Sequence, residues 1–271
     1  MIKKSGIINI VFLIFTLFIS CHHTDTDIQK GITFFEKGDY TNAIIAYSIS
    51  INKDSTNFKA YLLRGKAYLK NNEYSKAFDD FNKSISLKEK NPDTYNERGF
   101  LNQTLGNYSA SIKDFDKAIK LNNLRPEFYN NRGFSYYSIG LYNKAIENYK
   151  AAITLDKNYS FAYNGVGITL YKLNRYATAL KWFNKAIEIK NDYKEAYYNR
   201  AQTYIDLGHI DSSFMDLNKI LQLDSCYLKA YYLRGLIYLG LGDTTNVCND
   251  FKRLFGKGYN FADSVYSKIC F

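Results

Sequence analysis

Few side chains in this sequence could do chemistry, and their spacing favours no reaction. The three histidines are His22, His23 and His209. The neighbouring pair lacks a third and fourth ligand at the spacing that a metal site needs. Adjacent carboxylates such as Asp79 and Asp80 could share acid and base roles, but similar acids return with a fixed period along the chain. We therefore expect no metal site and no catalytic residue.

The glycines also have a structural explanation. The sequence contains no glycine-rich phosphate loop, no Gly-x-Ser-x-Gly turn and no His-Glu-x-x-His motif. Most of the 16 glycines instead recur at two positions of an internal repeat. The sequence therefore predicts neither an enzyme nor a cofactor.

The elements that carry these residues are copies of one helical hairpin. Residues 126–159 read as two amphipathic helices, over about Glu127–Ile139 and Asn143–Leu155. Gly133 and Ala145 are small where the two helices must cross closely. One hairpin cannot bury both of its apolar faces, so it needs copies of itself on either side.

A shift of 34 residues finds this unit seven times without an insertion. The repeats start at Thr24, Phe58, Pro92, Pro126, Ser160, Lys194 and Leu228. The small position of the first helix holds Gly31, Gly65, Gly99, Gly133, Gly167, Ala201 and Gly235. The large position of the second helix holds Tyr47, Phe81, Phe115, Tyr149, Phe183, Leu217 and Phe251.

These columns resemble the tetratricopeptide repeat family over Thr24 to about Gly256. The resemblance implies an all-α fold, a right-handed solenoid of seven 34-residue hairpins over residues 24–257. Residues 258–271 would form a C-terminal helix that caps the last repeat, whose outer face has no neighbour. Two features depart from the family: its late-repeat proline is absent, and its leucine before the small glycine is mostly arginine.

That arginine has an expected partner in its own hairpin. In two antiparallel helices of one hairpin, the residue numbers of any two facing residues add to a nearly constant sum. This rule places an acid opposite most of the arginines. The expected buried ion pairs are Arg64 with Asp80, Arg98 with Asp114, Arg200 with Asp216, and Arg234 with Asp250. The same rule places Arg132 near Asn148. In the fifth repeat the arginine becomes Val166 and its partner becomes Trp182.

The N-terminal segment has a different character. Lys3 and Lys4 precede a short apolar run, which is typical of a secretory signal over residues 1–20. The end of the run resembles a bacterial lipobox, with Phe18 bulkier than usual. The resemblance implies lipidation of Cys21, a tether over residues 21–26, and a lipoprotein that faces the periplasm, at the outer membrane. A plain signal peptide and an uncleaved anchor are the alternatives.

Export would place the other cysteines in an oxidising compartment, where disulfides persist. Cys248 lies in the last repeat and Cys270 near the end of the capping segment. Some exported tetratricopeptide proteins resemble this tail, which implies a Cys248–Cys270 disulfide; two buried thiols are the alternative. Cys226 would then be unpaired.

The resemblance implies that first helices line a concave groove that holds a protein segment. The positions that hairpin packing leaves free carry asparagines and apolar residues, which could bond an extended peptide backbone and form pockets for its side chains. The expected groove residues are Leu62, Lys66, Leu69, Asn96, Phe100, Gln103, Asn130, Phe134, Tyr137, Asn164, Ile168, Tyr171, Tyr198, Gln202, Ile205, Tyr232, Leu236 and Leu239. The alternative is that they pack on the cap or line a tight superhelix.

The carboxylate-clamp subgroup of the family is a poor match, because Phe100, Phe134 and Ile168 stand where its asparagine would follow the small glycine. The formal charge is +10, but the lysines are dispersed among acids, so we do not expect a nucleic-acid partner. We expect a non-catalytic scaffold for secretion, pilus, outer-membrane or cell-wall machinery. Peptidoglycan or glycan binding is the alternative function. The sequence does not define the oligomeric state.

Overall fold

The computed structural model describes residues 26–270, where every regular element is an α-helix. Residues 26–36 form α1. The later helices are α2 (Tyr40–Lys53), α3 (Phe58–Lys70), α4 (Tyr74–Leu87), α5 (Pro92–Thr104), α6 (Tyr108–Leu121), α7 (Pro126–Ser138), α8 (Tyr142–Leu155), α9 (Ser160–Lys172), α10 (Tyr176–Ile189), α11 (Lys194–Asp206), α12 (Ile210–Leu223), α13 (Leu228–Gly240), α14 (Thr244–Lys252) and α15 (Asn260–Ile269). Six first helices, from α3 to α13, start at the residues that the 34-residue period predicts.

The predicted signal peptide and Cys21 lie outside the described residues. Over 26–270, every helix falls short of the length and apolarity that a membrane span requires. The chain divides into two compact units between Ile139 and Gly140, inside the fourth repeat. We call them the N-terminal unit, with α1 to α7, and the C-terminal unit, with α8 to α15.

The turn inside each repeat has a left-handed residue after the first helix. Gly106 has φ of +76° and Asn72 has φ of +61°. Glycine adopts this conformation without steric cost, and asparagine tolerates it better than most residues. This left-handed residue therefore ends each first helix and lets the chain reverse.

In the N-terminal unit, small glycines lie against buried aromatic rings. A Cβ atom on Gly65 would lie 2.7 Å from Cε1 of Phe81, and one on Gly99 would lie 2.8 Å from Cε1 of Phe115. Phe81 and Phe115 are fully buried. The missing side chain therefore lets α3 approach α4 closely, and it lets α5 approach α6 in the same way.

The C-terminal unit repeats this packing with one substitution. Gly167 faces the ring of Phe183. In the sixth repeat, Ala201 and Leu217 belong to the same buried cluster and replace the glycine and the aromatic ring. The gain in volume on one helix accompanies a loss on the other, as a close-packed interior requires.

The last helix, α15, covers the seventh repeat as the sequence predicts. Ala262 on α15 joins a buried cluster with Val247 and Phe251 of α14. A disulfide joins Cys248 to Cys270, with their Cα atoms 5.5 Å apart. Among the described cysteines, Cys226 is free and exposed.

Candidate functional site

The first helices of the N-terminal unit present two exposed phenylalanines at equivalent repeat positions. Phe100 on α5 has an exposed fraction of 41% and Phe134 on α7 one of 45%. The ring of Tyr137 lies 6.5 Å from that of Phe134, measured between centroids. Asn130 is partly buried one turn before Phe134. We call Phe100, Asn130, Phe134 and Tyr137 the phenylalanine face.

Other expected groove residues of this unit connect neighbouring repeats. The Nζ atom of Lys66 lies 3.3 Å from a carboxylate oxygen of Glu97. The Oδ1 atom of Asn96 accepts a hydrogen bond of 3.0 Å from Nδ2 of Asn131. These polar groups are thus used between repeats and are only partly available to a ligand.

Three expected groove residues of the N-terminal unit are buried, so their assignment to an open surface is wrong. Leu62 and Leu69 belong to the core between α3 and α5, together with Leu101. Gln103 is also buried and donates from Nε2 to the carbonyl of Asn131 at 2.6 Å. Within their own hairpin, these three residues occupy positions that face outward. Contacts with the following repeat bury their side chains.

In the C-terminal unit, Asn164 requires the same correction. It is buried; its Nδ2 donates to the hydroxyl of Tyr193 at 3.3 Å and its Oδ1 accepts from Asn199 at 3.0 Å. The hydroxyl of Tyr171 donates to Asp206 at 2.5 Å. Burial and this hydrogen bond to Asp206 raise the pKa of Tyr171.

Four tyrosines gather on one surface of the C-terminal unit, and we call them the tyrosine face. The centroids of Tyr198 and Tyr227 are 6.2 Å apart, and those of Tyr232 and Tyr259 are 5.2 Å apart. Burial raises the pKa of Tyr198, and the nearby phenols of Tyr259 and Tyr232 raise it further. Burial, and next the carboxylate of Glu195, raise the pKa of Tyr227 to about 12.

Tyr227 and Tyr259 are not among the predicted groove residues, because both precede a helix, at the N-caps of α13 and α15. A signal was present, since Tyr159 and Tyr193 occupy the position of Tyr227 in the two preceding repeats. Ile168 and Gln202 are partly buried at the expected first-helix positions.

Three more expected groove residues lie on the first helices α11 and α13 of the C-terminal unit. Ile205 and Leu236 line an apolar cavity of about 390 Å³ with Ile210 and Leu233. Leu239 packs on the core of the last repeat. This part of the surface can receive a small apolar side chain.

The arginine column forms the predicted pairs within the repeats. The distance from guanidinium nitrogen to carboxylate oxygen is 2.8 Å for Arg64–Asp80, 2.6 Å for Arg98–Asp114, 2.5 Å for Arg200–Asp216 and 2.7 Å for Arg234–Asp250. Burial raises the pKa of Asp80 and of Asp216, although the paired arginines oppose this shift. The guanidiniums are engaged by protein groups, so this series is not a phosphate-binding ladder.

Each arginine also reaches back to the second helix of the preceding repeat. The Nη1 atom of Arg98 donates to Oδ1 of Asn82 at 2.7 Å, and that of Arg64 donates to the hydroxyl of Ser48 at 3.0 Å. For Arg132, this position holds the acid Asp116, at 2.5 Å. The prediction for Arg132 named Asn148 and missed this charged partner from the preceding repeat.

Family models describe the same repeats. A model described as TPR repeat matches residues 31–72, 65–106, 104–140 and 167–208. Models described as tetratricopeptide repeat match residues 126–159, 194–225 and 228–255. The chain belongs to the tetratricopeptide repeat family. The predicted all-α fold of tetratricopeptide hairpins is thereby confirmed.

Solved structures of other tetratricopeptide proteins are similar. One from Parabacteroides merdae ATCC 43184 has a TM-score of 0.72 and 20% identity, covering 91% of this chain and 98% of its own. PilW, described as a widely conserved type IV pilus biogenesis factor, has a TM-score of 0.68 and 19% identity, covering 75% of this chain and 94% of its own. MamA has 28% identity and a TM-score of 0.53, covering 59% of this chain and 94% of its own.

No curated protein sequence matches the chain. Tetratricopeptide repeat proteins are generally scaffolds for protein interactions.

Within the described residues, no group of three or more histidine, cysteine or acidic side chains could hold a metal ion.

Proposed function

We propose that this protein is a non-catalytic scaffold that binds an extended segment of a partner protein on its first helices. The exposure of Phe100 and Phe134 carries the proposal. Each follows the small glycine of its repeat, and the core of the third hairpin is already filled by the buried ring of Phe115. Aromatic surface that packing leaves uncovered typically marks an interaction site.

The chemistry of the phenylalanine face suits a peptide in extended conformation. Phe100 and Phe134 would contact apolar side chains of the segment. The amide of Asn130, one turn before Phe134, can bond the backbone of the segment, since its oxygen accepts and its Nδ2, which lies 3.5 Å from Oδ1 of Asn131, has a second hydrogen to donate. The ties of Lys66 and Asn96 to the next repeat would hold this surface in one shape before the partner arrives.

The tyrosine face provides a second surface of the same kind. Its four rings combine apolar area with hydroxyl groups, which favours binding with little loss of side-chain entropy. Tyr198, and Gln202 one turn later on α11, could also stack on and bond a sugar, so glycan or peptidoglycan binding is the second candidate function. Retention of the protein on isolated peptidoglycan, lost on changing Tyr198 and Tyr232 to alanine, would favour that candidate.

The proposed setting is the bacterial envelope, with the mature protein anchored through lipidated Cys21 and facing the periplasm. The apolar run before Cys21 and the pilus role stated for PilW support this setting. We expect Cys21→Ala to abolish fatty-acid labelling and to release the protein into the soluble fraction. An unchanged membrane fraction in that variant would contradict the lipid anchor.

The binding surface is tested by the double variant Phe100→Glu with Phe134→Glu. We expect nearly unchanged helicity and thermal unfolding, with loss of partner capture from the native envelope. The matched control is Ile45→Glu with Phe78→Glu, which places two charges at exposed apolar positions of second helices in the same unit. Simultaneous loss of fold and capture would show that the phenylalanines belong to the core.

A further inference from the structure

A basic pocket that the proposed scaffold function does not use is formed by α13, α14 and residues 252–259, the segment that ends α14 and leads to α15. The pocket has a volume of about 750 Å³ and is lined by Arg234, Asp250, Lys252, Arg253 and Lys257. Lys252, Arg253 and Lys257 are all exposed. Four cations and one acid therefore surround one depression.

The positive charge of this pocket is not balanced by the protein. Arg234 and Asp250 neutralise each other at 2.7 Å. Among the described residues, no acid forms a salt bridge with Lys252, Arg253 or Lys257. Three positive charges thus remain for an external anion, in contrast to Lys194, whose Nζ lies 2.6 Å from Asp224.

The segment of residues 252–259 also exposes the aromatic ring of Phe255 to solvent. Leu254 is fully buried in the core of the last repeat, while its neighbour Phe255 has an exposed fraction of 50%. One side of the Phe255 ring packs on Tyr266, with centroids 5.3 Å apart. The buried anchor and the packed ring fix the direction in which the exposed half of Phe255 points.

The backbone of the segment is also held in place. Gly256 has φ of +69° and Gly258 has φ of +85°, which side chains other than glycine adopt with strain. The amide of Gly256 donates to the carboxylate of Asp263 at 3.2 Å. The Cys248–Cys270 disulfide connects the two helices that flank the segment. The segment therefore presents its charges and its ring without an ordering step.

We propose that this segment, residues 252–259, docks on an anionic phospholipid surface. Lys252, Arg253 and Lys257 would contact lipid phosphates, and Phe255 would enter the region between headgroups and acyl chains. Phe255 lies between the unpaired cations Arg253 and Lys257 in the sequence. One short segment thus offers positive charge to lipid headgroups and an aromatic ring to the layer beneath them. An acidic soluble partner would account for the cations but not for the exposed ring. The contact does not depend on lipidation of Cys21 or on the first-helix surface.

The test measures contact of this segment with lipid in the full chain. Trp182 is the sole tryptophan of the sequence, so Phe255→Trp in a Trp182→Phe background gives one local fluorophore. Vesicles of phosphatidylcholine, with or without phosphatidylglycerol, carry brominated acyl chains that quench tryptophan on contact. Because the readout is local, attachment through the N-terminal segment alone gives no signal. The control is Phe78→Trp in the same background, at an exposed position on α4 of the N-terminal unit.

We expect quenching of the Phe255→Trp protein by vesicles with phosphatidylglycerol, reversal by salt, and no quenching of the control. Adding Lys252→Gln with Lys257→Gln should lower the docking constant about 25-fold, from about fivefold for each charge lost near an anionic surface. Adding Lys83→Gln with Lys113→Gln, two exposed lysines on α4 and α6, should leave it unchanged.

Three results would overturn the proposal. Equal quenching of the Phe78→Trp control would indicate unspecific adhesion. Equal quenching by phosphatidylcholine alone would remove the role of the cations. Absence of quenching, with a fluorescence change on adding polyglutamate instead, would assign the pocket to an acidic protein. Circular dichroism of each variant confirms that the helices are retained.

Discussion

Replacing Arg98 with alanine should destabilise the protein by about 3 kcal/mol, because it leaves a buried carboxylate without its cation. The side chain of Asp114 has an exposed fraction of only 8%. Arg98 donates to it from Nη2 at 2.6 Å and from Nε at 3.1 Å. After the change, Asp114 keeps the hydrogen bond that Nδ2 of Asn102 donates at 3.0 Å, but among the described residues it has no cation to replace Arg98. Arg98 is itself partly exposed, so we expect a loss at the lower end of the range for broken buried pairs.

The fifth repeat of the chain suggests a compensating variant. There, Val166 and Trp182 replace the arginine and the acid, and Trp182 packs 5.8 Å from Tyr163 between ring centroids. Arg98→Val with Asp114→Trp copies this arrangement beside the equivalent Tyr95. An apolar pair of suitable shape needs no charge compensation, so we expect the double variant to recover part of the loss.

The assay is urea unfolding followed by circular dichroism at 222 nm, a wavelength that reports helix content. Arg125→Ala is the matched control. The side chains of Arg125, Asp93 and Glu127 have exposed fractions of 43%, 48% and 29%, so their ion pairs are more hydrated than Arg98–Asp114 and should contribute less than about 1 kcal/mol. We expect the order Arg98→Ala, double variant, control, wild type in rising urea midpoint. Equal midpoints for Arg98→Ala and for Arg125→Ala would refute the assignment of Arg98–Asp114 as a stabilising buried pair.

Further predictions concern the end of the chain and its tyrosines. Cys248→Ser should destabilise the packing of α15 by up to about 3 kcal/mol, because without the disulfide the unfolded chain is no longer closed into a loop and gains conformational entropy. The rate of amide hydrogen exchange over residues 248–270 should rise, and an unchanged rate would contradict the effect. Tyr47 and Tyr227 have pKa values raised to about 12 by burial, so their neutral forms stabilise the fold fully below pH 10, and that contribution is lost as the pH rises from 10 to 12. The phenolate absorbance of Tyr47 and Tyr227 should therefore appear together with unfolding in this window, and ionisation of these two residues in a still-folded protein near pH 10 would disprove it.

The period of the sequence was sufficient to predict the hairpins and their internal contacts. A glycine and a ring 16 residues later, such as Gly65 and Phe81, meet because the same turn joins every pair of helices. The Arg98–Asp114 pair follows from the rule that the residue numbers of facing residues in one hairpin have a nearly constant sum. These contacts lie within one repeat, where the chain between the partners has a fixed length and geometry.

Contacts between consecutive repeats were harder to predict. Asn96 read as a free groove residue, yet Asn131 of the next repeat occupies its acceptor. Asp116 received no role, yet it supplies the acid for Arg132 from the preceding repeat. The sum rule for facing positions holds within a hairpin, and a different rule, set by how neighbouring hairpins stack, governs these pairs. Burial of Leu62 was missed for the same reason.

The most direct test of the scaffold function is site-specific photocrosslinking in living cells. A benzoylphenylalanine at Phe134, on the phenylalanine face, is compared with the same residue at Phe78, on the second helix α4. We expect a discrete protein adduct at Phe134 that disappears when Phe100→Glu is added, and no such adduct at Phe78. An adduct of equal yield at Phe78, or none at Phe134 in a chain that remains folded, would contradict binding of a partner on the first helices.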